Sequence, residues 1–105
     1  MTASRIGQIL KMLEEEPNDS FLNYALAIEK AKIGNLDEAI QIIKKILSHD
    51  KNYLGAYYQL GKFQEEANQD QAAIDTYKAG IEIARLQKNN KTENELNEAL
   101  FHLED

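Results

Sequence analysis

Apolar residues along this chain recur at steps of three and four, the spacing that lines one face of an α-helix. Ile6, Ile9, Leu10 and Leu13 open the pattern and predict a helix over residues 3–16, with all four facing inward. Leu36, Ala39, Ile40, Ile43, Ile46 and Leu47 continue it, as do Ala73, Ile74, Tyr77, Ile81 and Ala84. Leu96, Ala99, Leu100 and Leu103 predict a final helix over 91–104, with Glu93, Glu95, Glu98 and Glu104 lying elsewhere on it. The breaks are short and polar. Pro17-Asn18-Asp19 separates the first helix from the next, with Ser20 expected in its cap, and Lys88-Asn89-Asn90 forms a turn before the last.

Residues 20–53 and 54–87 align without a gap at an offset of 34. Leu26 falls on Leu60, Ala39 on Ala73 and Ile40 on Ile74, and the small residues Ala27 and Gly61 coincide. Gly34 falls on Asn68. These two residue types best tolerate the left-handed conformation that stops a helix, so each unit reads as helix, turn, helix. Small side chains at 27/61 and 39/73 let two antiparallel helices approach closely. A bulky residue there would push the hairpin apart at a cost of about 1–3 kcal/mol.

A tandem of 34-residue helical hairpins resembles the tetratricopeptide repeat family, whose pattern runs W-x2-L-G-x2-Y, then A-x3-F, then P. The second unit supplies Tyr57-x2-Leu60-Gly61 and Ala73-x3-Tyr77; the first supplies Leu26-Ala27 and Ala39-x3-Ile43. Asn23 stands where the family opens on a large aromatic, Lys30 and Gln64 replace its mid-helix tyrosine, and Lys51 and Arg85 replace its closing proline. Pro17 lies 34 residues before Lys51, so residues 3–16 look like the second helix of a preceding half-repeat. The resemblance is to small stand-alone bacterial repeat proteins and covers nearly the whole chain. It implies an all-α fold: a right-handed α–α superhelix of antiparallel hairpins with about six helices. One domain is expected over residues 1–105, with repeats at 20–53 and 54–87 and a capping helix at 91–104.

Composition narrows the function classes. Charged residues make up 29% and hydrophobic ones 43% of the chain, which suits a folded protein. Cysteine is absent, which excludes disulfides and thiolate metal sites. No signal peptide or spanning segment is read, so a cytoplasmic location is expected. The net charge of −6 argues against nucleic acid and against anionic membrane surfaces. Residues 88–105 carry two lysines against five acids, so the acidity gathers at the end.

Nothing in the residues points to catalysis. His49 and His102 lack metal-ligand spacing and read as surface residues. Adjacent acids at Glu14-Glu15-Glu16 and Glu65-Glu66 project about 100° apart on a helix and do not converge, so they read as solvated faces. No enzyme, metal or cofactor is expected. The resemblance implies protein–protein binding instead, on a concave groove lined by the first helix of each repeat. Carried onto this chain, that groove takes Phe21, Tyr24, Ile28 and Lys32 from the first repeat. The second contributes Tyr58, Lys62 and Glu65, with Gly55 opening it. The family's clamp for acidic C-termini needs a Lys/Asn/Arg set, and Tyr24, Ile28 and Gln59 occupy its places. The expected partner is a protein or peptide with an apolar anchor and a basic or mixed flank. The alternative is self-association through the terminal helices, as a weak homodimer.

Overall fold

The structure, a computed structural model, describes the backbone of residues 2–104 and the side chains of residues 5–104. Among the described residues there are six helices and no strand: α1 Thr2–Glu15, α2 Ser20–Lys32, α3 Leu36–His49, α4 Leu54–Glu66, α5 Asp70–Leu86 and α6 Asn90–Glu104. The chain divides into two compact units, Met1–Lys51 and Asn52–Asp105. In the first, α2 packs against both α1 and α3; in the second, α5 packs against both α4 and α6.

Three helices stop in the same way. After α2, Gly34 takes φ 92°, its N–H donates to the Ala31 carbonyl, and the Asn35 N–H donates to that of Lys30. After α4, Asn68 takes φ 62°, with Asn68 donating to Glu65 and Gln69 to Gln64. After α5, Lys88 takes φ 56°, with Lys88 donating to Arg85 and Asn89 to Ala84. Each stop is a Schellman motif, which satisfies carbonyls that a helix end would leave bare. Two helix starts, those of α2 and α6, use side chains. The Asp19 carboxylate accepts from the Leu22 N–H at 2.8 Å, and the Asn89 side chain accepts from the Thr92 N–H at 3.1 Å. Asp19, and not Ser20, therefore caps α2. The Ser20 hydroxyl donates instead to Asp50 Oδ2 at 2.7 Å, tying the start of α2 to the end of α3.

The first unit buries Ile6, Ile9 and Leu26 together, with half-buried Leu13, Ala25 and Ile42 against them. Leu10 departs from the inward set and is 46% exposed. Helix α2 covers the arc of α1 that carries Ile6, Ile9 and Leu13, and Leu10 lies at its margin. Asn23, in the place of the family aromatic, is buried and donates to the carbonyls of Pro17 (3.0 Å) and Asp19 (2.9 Å), fastening the α1–α2 loop. Glu29 is also buried. Its carboxylate is offset by Arg5 at 3.2 Å and Lys32 at 3.3 Å, the pairing that a buried charge requires.

The second unit centres on Tyr77, whose side chain is fully buried on α5. Its ring lies over Gly61 of α4, where no Cβ intervenes. Gly80 serves a second close approach. A Cβ there would sit 2.7 Å from Tyr57 Cβ and 3.0 Å from Leu96 Cδ1, so this glycine lets α4 and α6 side chains close over α5. Leu96 and Ala99 are the buried residues of α6, and Lys78–Glu104 and Arg85–Glu93 ion pairs flank them at 3.3 and 2.9 Å. Arg85 is held further in its charged form, chiefly by its hydrogen bond from Nε to Glu93.

Candidate functional site

Two helix faces carry the residues that the sequence singles out. On α2, Phe21, Tyr24 and Ile28 follow one another at steps of three and four and share one face. Phe21 is 67% exposed, an unusual exposure for a phenylalanine, while Tyr24 and Ile28 are half-buried. Lys32 lies one turn further and is exposed, with its ammonium 3.3 Å from Glu29. Burial pushes the Tyr24 hydroxyl above the usual phenol range, and the same cause raises Tyr57, which is buried on α4.

On α4, Tyr58, Lys62 and Glu65 are all half-buried and follow at steps of four and three. Here the structure brings the predicted residues into contact. The Lys62 ammonium stands 5.5 Å from the centre of the Tyr58 ring, a cation–π arrangement. The Tyr58 and Tyr77 rings lie 6.4 Å apart at 44°. The Tyr77 hydroxyl donates to Glu65 Oε2. Tyr77 thus completes the cluster from below, and pattern reading had placed it only in the core. Its ionisation is pushed far above the phenol range, first by burial, then by its hydrogen bond to Glu65 and the negative charge there. Tyr77 therefore stays protonated at neutral pH and donates to the Glu65 carboxylate. Gly55, one turn before Tyr58, is exposed.

The rest of the surface offers little chemistry. Among the described residues no group of three or more His, Cys, Asp or Glu side chains could hold a metal ion. His49 and His102 are exposed near the ends of α3 and α6. Among the described residues no helix is long and apolar enough to cross a membrane.

The profile of the tetratricopeptide repeat matches residues 30–89, more than half of the sequence. The chain belongs to the tetratricopeptide repeat (TPR) family. A TPR domain protein from Salinibacter ruber, solved by NMR, is 40% identical, with 84% of this chain and 89% of that one covered at a TM-score of 0.80. The TPR2B domain of yeast Sti1, solved as a complex with pHsp70, has a TM-score of 0.89 at 19% identity, covering 98% of this chain and 82% of that one. A Bordetella parapertussis protein known from its solution structure has a TM-score of 0.81 at 21% identity, covering 93% and 85%. At these lower identities the likeness is one of TPR fold. No curated protein matches the sequence.

Proposed function

We propose that this TPR chain is a non-enzymatic protein–protein interaction adaptor. It takes a peptide or a partner protein on the groove faces of its first helices, with Phe21, Tyr24, Ile28 and Lys32 on α2 and Tyr58, Lys62 and Glu65 on α4. The observation that carries the reading is the exposed Phe21, set in line with two half-buried side chains on one face of α2. Aromatic side chains in such positions are the usual anchors of protein interfaces. The Sti1 domain, of the same fold, was solved with a partner bound. The net charge of −6 favours a protein partner over nucleic acid or an anionic membrane.

Capture from a lysate of the source organism tests the reading, with wild type set beside a Tyr24→Ala/Tyr58→Ala variant shown by circular dichroism to be folded. A protein held by the wild type and lost by the variant supports it. No capture, or capture indifferent to both tyrosines, counts against the groove. A second reading, self-association through a terminal helix, is favoured by Leu10 and Met12 on α1, which are 46% and 50% exposed. Light scattering separates the two: a monomer at all concentrations removes self-association as the main role.

A further inference from the structure

Lys62 shows what the α4 face attracts. Its ammonium rests over the Tyr58 ring, so a face of that ring already serves as a seat for a cation. One turn further along, Glu65 presents a carboxylate whose Oε2 is engaged by the neutral hydroxyl of Tyr77. Among the described residues no ion pair reaches Glu65. A carboxylate can accept several hydrogen bonds, and one from a phenol does not neutralise its charge. The surroundings carry the same sign. Asn52–Asp105 holds five basic residues against ten acidic ones, a net −5 out of the chain's −6.

We infer that the Tyr58–Glu65 face of α4 binds an arginine side chain of the partner, in the seat that Lys62 now occupies. This rests on the adaptor reading of the same helix and names the chemistry of one anchor. A guanidinium fits both elements together: its plane stacks on a tyrosine ring, and its fork of N–H donors pairs with a carboxylate, which an ammonium cannot match in geometry. Lys62 is then an internal stand-in, displaced on binding, and not an anchor for an acidic partner. A partner carboxylate brought to Lys62 would meet Glu65 and Glu66 within one turn of the helix.

The test uses the full chain, isotope-labelled for NMR, titrated with a short capped peptide of alanines around one central arginine. Sister peptides carry lysine, norleucine or glutamate at the centre. The arginine peptide is expected to shift Tyr58, Lys62, Glu65 and Tyr77 saturably, and to bind about 5-fold or more tighter than the norleucine peptide. Glu65→Gln, which still accepts from Tyr77 and whose fold circular dichroism verifies, should weaken it about 5- to 10-fold. Glu95→Gln, an equal change of charge on α6, should change it less than about 2-fold, because a screened distant charge contributes little. Lys62→Met should tighten arginine binding about 2-fold or more by emptying the seat. The inference is overturned by no saturable shift, by preference for the glutamate peptide, by weaker binding in Lys62→Met, or by equal losses in Glu65→Gln and Glu95→Gln. Its failure is separable from that of the adaptor reading. A lysate partner lost with Tyr24→Ala/Tyr58→Ala but kept by Glu65→Gln leaves the adaptor standing and removes the arginine seat.

Discussion

Gly61 lies under the ring of Tyr77, and the two are fitted to each other. A Cβ at position 61 would come within 2.7 Å of Tyr77 Cδ1 and nearer still to Cε1 and Cζ. The first repeat sets Ala27 and Ile43 in the matching places, both fully buried. A larger side chain at one position goes with a smaller one at the other. Gly61→Ala alone should destabilise the protein, since overpacking costs about 1–3 kcal/mol against a helix-propensity gain of about 1 kcal/mol. On a Tyr77→Ile background, itself destabilised, the same Gly61→Ala change should become neutral or stabilising. Urea unfolding of the four members of this cycle measures the reversal of sign. An unchanged cost of Gly61→Ala in both backgrounds would show that the ring is not what excludes the methyl group.

Lys88 holds a position that belongs to glycine. It stops α5 at φ 56°, where a Cβ is strained and where Gly34 serves the same motif after α2. Lys88→Gly should therefore stabilise the chain by about 0.5–1 kcal/mol, after allowance for the greater freedom of glycine in the unfolded state. Gly34→Ala should cost about 1 kcal/mol for the converse reason. Thermal unfolding reads both as shifts of a few degrees in opposite directions.

How far the sequence disclosed all this depends on which residue carries each feature. The stops at Gly34 and Asn68 were legible because few residue types accept a positive φ. At Lys88 the turn was legible but its positive φ was not, because lysine has no such preference, and the bonds from the Lys88 N–H to Arg85 and from the Asn89 N–H to Ala84 impose the conformation. The repeat and the six helices follow from apolar spacing. Spacing says nothing of a polar atom at an apolar position, so Tyr77 read as core and its bond to Glu65, a helix away, stayed hidden. Asn23 and Glu29 escaped for a related reason: their partners, Pro17 and Arg5, lie in another element. Leu10 fitted the helical period but sits at the margin of what α2 covers, and only packing decides a margin. Of the site, the shared faces of α2 and α4 were legible, whereas the contact between Lys62 and Tyr58 depends on side-chain conformation.

Alkaline pH should expose the buried tyrosines. The Tyr77 ionisation is raised above the ordinary value of 10.0, chiefly by burial, and Tyr24 and Tyr57 move in the same direction. Above pH 10 the unfolded chain loses these protons while the folded chain keeps them, so stability falls as pH rises; below pH 10 the contribution is fully present. For fully buried Tyr77 the loss amounts to about 1.4 kcal/mol by pH 11. Tyr77→Phe should be less stable than wild type at pH 8, by about 1.5–3 kcal/mol for a hydrogen bond to a charged group. It should also show a shallower decline between pH 10 and 11. Urea midpoints across this range test the sign, and parallel declines would mean that Tyr77 titrates alike in both states.

Helix α6 buries two residues where α4 buries seven and α5 five, and this makes it the element of the second unit that should open first. Its buried residues are Leu96 and Ala99, and Leu96 reaches Gly80 of α5 beside Tyr57. The Arg85–Glu93 and Lys78–Glu104 pairs join half-exposed or exposed side chains, so each contributes little and is weakened by salt. Leu96→Ala should cost about 2–5 kcal/mol, the range for a fully buried leucine. Much of that cost should appear as local opening. Amide exchange would then speed up along Asn90–Glu104 while α4 and the first half of α5 keep greater protection. Gly80→Val should produce the same pattern from the other side of the contact, because its branches would meet Tyr57 and Leu96. If both variants instead accelerate exchange evenly through α4, α5 and α6, the three helices form one cooperative block, and α6 is a structural member of the repeat and not a detachable cap.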